Sequence, residues 1–297
     1  NWEFWSLTRF KIPSLVSCIK MSTRQLSSNK EPLIASEAER ARREFLRQEE
    51  QRQAIAEVSE EARRCINQNK ADGAVVIAFQ CLQESSMIFG EYSMELMPLL
   101  FELADANLKV GKKKKAQGNL IAADWILTKM QPSENEKHQN PQLEATISKF
   151  RSRLLKSFGA LFTEIEQYDQ ASKSLTENIY LERLDKSPEH YSLSGSYYLM
   201  GNIFLQQEKK DEALSFYRQM CLIWKKFLES DSKEKHSVKN VELEQAANEL
   251  NEVLDFVNQQ LGEDSDLAGE IRSTLDLVYE FINQIEKNNY NRQFEEE

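Results

Sequence analysis

The sequence predicts an all-α fold, a solenoid of stacked helical hairpins with a long repeat of about 42 residues. Three observations lead there. Nine Gly and six Pro make only about 5% of the 297 residues, against about 12% in average proteins, so barrels, sandwiches and Gly-rich nucleotide folds lack their turn residues. A stretch dense in Glu and Arg has the spacing of a charged helix. One pattern of small residues recurs four times along the chain. With 40% hydrophobic and 29% charged residues the chain can bury a core, and a net charge of −10 argues against bulk attraction to nucleic acid or anionic membrane.

The expected organisation is residues 1–35 as an unstructured or upstream segment, 36–238 as a charged helix running into four hairpin repeats, 239–287 as capping helices, and 288–297 as a polar tail. Residues 1–20, NWEFWSLTRFKIPSLVSCIK, scatter aromatics without the apolar run of a secretory leader or a membrane span. The first Met is Met21, so natural translation is expected to start there, with residues 1–20 an upstream stretch of the gene model. The other reading is an aromatic peptide that docks on a partner, since Trp2, Phe4, Trp5 and Phe10 are costly to expose. From Ser36 to Lys70 the chain reads as one helix: eight Glu and seven Arg fall between Glu37 and Arg64, and Glu39–Arg43 and Glu60–Arg64 have the favourable i, i+4 orientation. Ser36 is the expected N-cap, with Glu39 at the capping-box position.

The repeat follows. A small residue stands twelve positions before an Ala in four places: Ala62 with Ala74, Ala104 with Ala116, Gly159 with Ala171, and Gly201 with Ala213. Four residues after each Ala come Ala78, Leu120, Leu175 and Tyr217, and three further on Cys81, Ala123, Asn178 and Met220. Four residues ahead of the small residue stand Val58, Leu100, Leu155 and Tyr197. This spacing resembles the helix-turn-helix consensus of the tetratricopeptide repeat. Antiparallel helices pack closely only where small side chains let the backbones approach, and larger residues at i±3 and i±4 fill the grooves around that point. The small residues are 42, 55 and 42 positions apart, so the helices are longer than in a repeat of about 34 residues.

The 55-residue interval holds QPSENEKHQNPQ at 131–142, whose two Pro and polar residues read as a surface loop. Beyond residue 238 the repeat spacing is lost. Two apolar-patterned helices are expected at about 239–261 and 266–287, separated by Gly262, closing the end of the stack. The tail from Asn288 to Glu297 is expected to fray.

Cys18, Cys65, Cys81 and Cys221 form no CxxC pair, and His138, His190 and His236 are isolated, so neither a metal nor another cofactor is expected. Cys65 and Cys81 lie in Ala-rich sequence, where a reduced cysteine acts as a small hydrophobe, as suits a reducing compartment. No phosphate-cradling Gly loop or nucleophile elbow occurs, and the carboxylates lie on charged helix faces, so catalysis is not expected. Binding is expected on the concave face, lined by the first helix of each hairpin. Positions −3, +1 and +4 from the small residue select Phe101, Asp105 and Leu108; Lys156, Ala160 and Thr163; and Tyr198, Asn202 and Leu205. That mixture suits a helix or peptide in a groove. Chaperone-binding members of the repeat family hold a C-terminal carboxylate with Lys at −3 and Asn at +1, a pair that no hairpin here combines. Lys112, Lys113, Lys114 and Lys115 read as the turn between two helices of one hairpin, or as a basic contact for an acidic partner such as a tubulin tail. Trp125 and Trp224, late in their helices, are expected to pack against the next repeat.

Several stretches resemble a more particular family: SMELMP at 93–98, ELADANLKVG at 102–111, AADW at 122–125, TENIY at 176–180, and above all SGSYYLMGNIF at 194–204 with IW at 223–224 and FL at 227–228. Over roughly residues 60–230 the chain is similar to ciliary tetratricopeptide proteins that carry an N-terminal MYND zinc finger and associate with a single-headed inner-arm dynein. These 297 residues hold no closely spaced Cys and His cluster, so metal binding does not carry over. The resemblance implies a non-motor scaffold of the ciliary axoneme. Its implied partners are an inner-arm dynein heavy chain and a second tetratricopeptide protein of the tetratricopeptide repeat protein 29 type, with tubulin the further candidate that the lysine run at 112–115 offers. The competing expectation is a soluble cytoplasmic adaptor for cargo or chaperones.

Overall fold

The computed structural model describes residues 37–131, 141–186, 190–230, 235 and 238–295. The readings of residues 1–36, including the Ser36 cap and Cys18, lie outside them. The described residues form ten α-helices and no strand: α1 (Glu37–Asn67), α2 (Ala71–Phe89), α3 (Met97–Lys109), α4 (Lys113–Lys129), α5 (Pro141–Glu164), α6 (Tyr168–Asp185), α7 (Ser194–Gln206), α8 (Lys210–Glu229), α9 (Asn240–Leu261) and α10 (Asp266–Glu295). Single 3-10 turns, Met94–Leu96 and Tyr191–Leu193, lead into α3 and α7. Residues 37–49 belong to a first unit of the chain, where they are a solvated length of helix. Everything below concerns the second unit, Glu50–Glu297.

Helices α3–α4, α5–α6, α7–α8 and α9–α10 pack as consecutive pairs, and α1 joins α2 where Gln51 Nε2 donates to Ser85 Oγ at 2.9 Å and Arg52 lies over the Phe89 ring, so the protein is an all-α hairpin stack. The small-residue register is where the paired helices meet. Ala62, Ala74, Ala104, Ala116, Ala171 and Ala213 are all fully buried. A Cβ on Gly159 would lie 2.6 Å from Leu175 Cγ, and one on Gly201 would lie 2.7 Å from Tyr217 Cδ1. The residues four and seven after each Ala are also buried. Leu155 departs from the pattern, half-buried while its neighbour Leu154 takes the inward place.

The turns repeat as faithfully as the helices. Seven residues after each small residue the backbone is left-handed, at Asn69 (φ 58), Gly111 (φ 77), Glu166 (φ 63) and Glu208 (φ 62). The next amide then closes back on the helix: Lys70 N to Cys65 O at 2.7 Å, Lys112 N to Asn107 O at 2.7 Å, Gln167 N to Phe162 O at 2.8 Å, and Lys209 N to Phe204 O at 2.9 Å. This is the Schellman closure, for which glycine is the unstrained residue. Glu208→Gly should therefore raise stability by about 1 kcal/mol, or about 2–4 °C in Tm. Thermal melts decide it, and a lower Tm would mean that the Glu208 side chain contributes more than its backbone costs.

Three boundaries differ from the sequence reading. Pro141 and Gln142 are the first residues of α5 rather than the end of a loop, because Pro at the first helical position loses no hydrogen bond. Lys113, Lys114 and Lys115 are the first turn of α4, since the hairpin turn is completed by residue 112. At the other end α10 continues to Glu295, in a stretch with no Pro or Gly to stop it. No helix among the described residues is long and apolar enough to cross a membrane.

Candidate functional site

Eight of the nine positions selected by register converge on one cleft of ≈ 740 Å³: Asp105, Leu108, Lys156, Ala160, Thr163, Tyr198, Asn202 and Leu205. Phe101 lines a neighbouring cleft of ≈ 640 Å³ instead, where its buried ring sits 6.2 Å from that of Phe150. Applied to the first hairpin, the same register gives Arg63 at +1 and Ile66 at +4, and both line the larger cleft.

The cleft is not an open peptide groove, because α9 forms its other wall. Gln245, Asn248, Glu249, Glu252 and Phe256 face the register residues across it. The Tyr198 hydroxyl donates to the Glu252 carboxylate. Lys156 lies against Gly195 at the start of α7, its Cε 2.7 Å from where a Cβ would stand, with Glu249 Oε1 4.0 Å from the same point. Asn202 Oδ1 accepts from the Tyr217 hydroxyl at 2.6 Å, and Thr163 is buried with its hydroxyl on Gly159 O at 2.8 Å, so both oxygens are engaged within the protein. At its start α9 is tied to α1: Asn67 Nδ2 donates to Val241 O at 3.0 Å, Asn248 Nδ2 to Asn67 O at 3.1 Å, and Lys239 pairs with Glu60 at 3.3 Å.

Packing holds α9 there. Leu243, Ala246, Leu250, Val253 and Val257 form a buried stripe at helical spacing, continuous with the core of α8 and α10. So α9 is more than the end cap expected from sequence; it is a structural wall of the inner face, while α10 packs on α8 and α9.

Between the hairpins and α9 lies a charged network of which the sequence reading named only Asp105 and Lys156. Glu102, fully buried, accepts from Arg63 Nε at 2.6 Å and lies 4.0 Å from Arg153, which also pairs with Asp105. Burial pushes the Glu102 carboxyl above its ordinary value, opposed by Arg63 and then Arg153. Burial likewise lowers the Lys156 ammonium and raises the Glu249 carboxyl, each countered by the other. A signal was present: Glu102 interrupts an apolar run, MPLLFELA, where a charge needs a buried partner. A second chain of polar groups joins α5, α6 and α7. Asn178 Nδ2 donates to Ser152 O at 2.7 Å, and Ser196 donates to Asn178 Oδ1 at 2.6 Å. Burial would raise Glu182, but Lys186 at 2.7 Å and the Ser152 and Ser192 hydroxyls outweigh it and hold the carboxyl low. Ser152, Asn178, Ser196 and Glu182 find their partners within this second chain, which is the behaviour of a structural polar cluster.

Trp224 is buried beside Tyr191 and Phe227 in the core shared with α9 and α10, but Trp125, also expected to pack against the next repeat, is 51% exposed on the outward side of α4. The reason is register. Trp224 stands eleven residues after Ala213, on the same side as the +4 and +7 contacts, whereas Trp125 stands nine after Ala116 and points away, Leu127 taking the buried place. The Lys129 ammonium lies 5.1 Å from the Trp125 ring centroid and 4.6 Å from that of Tyr92. At the other end of α4, Lys112 pairs with Asp72 at 3.8 Å and Lys113 with Glu164 at 3.5 Å.

Cys65, Cys81 and Cys221 are buried free thiols; burial raises all three, Cys81 to about 11, which suits inert packing rather than nucleophilic chemistry. Among the described residues no group of three or more His, Cys, Asp or Glu is placed to hold a metal ion. No family model matches the chain.

Proposed function

We propose that this protein is a non-catalytic scaffold that holds partner proteins against a stiff stack of helical hairpins. The observation that carries this is the outward face: Val76, Phe79, Met87, Tyr92, Ile121, Trp125, Tyr180 and Leu184 are all about half exposed or more, on or beside the second helices of three hairpins. Large apolar side chains grouped on a surface are characteristic of docking sites. An inner face walled by the chain's own α9 leaves that outer surface as the place for contacts.

The particular setting rests on the sequence resemblance. The scaffold is an axonemal subunit that helps tether a single-headed inner-arm dynein to the doublet microtubule, alongside a second tetratricopeptide protein. The best-matching stretch, residues 194–204, is α7 packed into the core through Ser196, Tyr197 and Ile203, so the likeness lies in how the hairpin is built. Mass spectrometry of proteins that co-purify with a tagged copy from salt-extracted cilia tests the reading. Recovery of an inner-arm heavy chain with a second tetratricopeptide protein is the expected result. Recovery of chaperones or cytoplasmic cargo in their place would overturn it in favour of an adaptor.

A further inference from the structure

The outward sides of α2 and α4 make one surface. The two helices run side by side: the Lys112–Asp72 pair joins their starts, and Lys129, stacked on both Tyr92 and Trp125, joins their far ends. On α2 the exposed residues Val76, Phe79 and Met87 follow helical spacing, and so on α4 do Ile121 and Trp125. One turn before Ile121 the α4 stripe continues at Gly118, where an added Cβ would meet nothing within 4 Å. A glycine in an exposed helix interior weakens the helix relative to alanine, and what it offers in return is room for another backbone.

Charge identifies the occupant. Lys114, Gly118, Ile121, Trp125 and Lys129 succeed one another at steps of four, three, four and four, so the apolar stripe is bounded by a lysine at each end, about 22 Å apart. Among the described residues Lys114, Lys115 and Lys129 pair with no carboxylate, in a chain whose net charge is −10. Lys114 and Lys115 also sit in the first turn of α4, at the positive end of that helix, where Asp72 and Glu164 reach only their neighbours Lys112 and Lys113.

We propose that this surface docks an amphipathic helix of a partner protein, laid lengthwise over α2 and α4, with acidic residues at both of its ends. Phe79, Ile121 and Trp125 receive its apolar face, Gly118 admits its backbone, and the lysines at each end of the stripe meet its carboxylates. The proposal rests on the scaffold reading and gives that scaffold's outer face its partner chemistry.

The test uses the full chain and two fluorescein-labelled peptides of about 18 residues, which span about 27 Å as helices. Both carry Leu and Phe at i, i+4, i+7 and i+11; one has Glu in its first and last turns, the other Lys. Fluorescence anisotropy should show the acidic-ended peptide binding at least about tenfold tighter, with that preference fading as salt rises. Trp125→Ala should weaken it about 30-fold, as loss of a central aromatic anchor does. Gly118→Arg, at an open position, should abolish binding with the circular dichroism melt retained. Lys114→Glu with Lys115→Glu should remove the preference for acidic ends, and Tyr198→Ala, in the inner cleft, should change nothing.

Equal binding of the two peptides, binding of neither, or indifference to Trp125→Ala would overturn the proposal. A wild-type dimer in light scattering that Gly118→Arg dissolves would give the surface to a second copy instead. If axonemal partners co-purify undiminished with Gly118→Arg, the scaffold reading stands and this surface falls. If the wild type recovers no partner at all, the scaffold reading itself has failed.

Discussion

Replacing Arg63 with Met should destabilise the protein by about 3–5 kcal/mol near neutral pH, because it strips the close partner from a carboxylate with no access to water. Glu102 is 0% exposed, and its Oε2 already lacks a hydrogen-bond partner. Arg153, at 4.0 Å, is shared with Asp105 and cannot replace the 2.6 Å bond from Arg63. The pH dependence carries the signature. Burial already holds the Glu102 carboxyl above its ordinary range, and loss of Arg63 raises it further. A carboxyl raised in the folded state penalises folding above its folded pKa, and the penalty vanishes below the unfolded value of about 4.3, where both states are protonated. The gap in urea midpoint between variant and wild type should therefore be widest at about pH 8 and narrow towards about pH 5. A gap that stays constant across that range would mean that Glu102 is not held as a buried anion.

Gly201→Ala is expected to cost about 1–3 kcal/mol, although alanine is the better helix former. The added Cβ would lie 2.7 Å from Tyr217 Cδ1 and 2.9 Å from Cζ. Tyr217 cannot withdraw: its side chain is 2% exposed, its ring contacts Tyr198 and Phe256, and its hydroxyl is held by Asn202. Gly73→Ala is the matched control, since a Cβ there meets nothing within 4 Å, and it should stabilise by about 0.5–1 kcal/mol. Denaturant unfolding of the two variants should thus give opposite signs. The same sign in both would mean that helix propensity, and not the close approach of α7 and α8, governs position 201.

Those two sites mark how far the sequence could be read. Small residues twelve apart identify a hairpin contact because backbone approach tolerates little else, and Ala62, Ala104, Gly159 and Gly201 are where paired helices touch. The same register carried eight of the nine −3, +1 and +4 residues onto one cleft, since side-chain direction on a helix follows from spacing alone. What spacing does not contain is the destination of an apolar stripe. Leu243, Leu250 and Val257 announce a buried face of α9, but not that its other face would wall the inner cleft and reach Asn67, a contact 174 residues away in sequence. Trp125 was legible in principle, because its offset from Ala116 places it opposite Leu120 and Ala123. The Glu102 network needed three helices brought together before Arg63 and Arg153 could be seen to share one carboxylate.

The central structural claim is that the inner face belongs to the chain's own helix, which directs partners to the outside. Hydrogen–deuterium exchange on the purified full chain addresses it. Amides of residues 244–257 should be protected to the same degree as those of α7 and α8, because α9 is buried along Leu243, Ala246, Leu250, Val253 and Val257. Exchange as fast as in the solvated residues 37–49 would contradict the account, leaving the cleft of Lys156, Tyr198 and Asn202 open as a peptide groove.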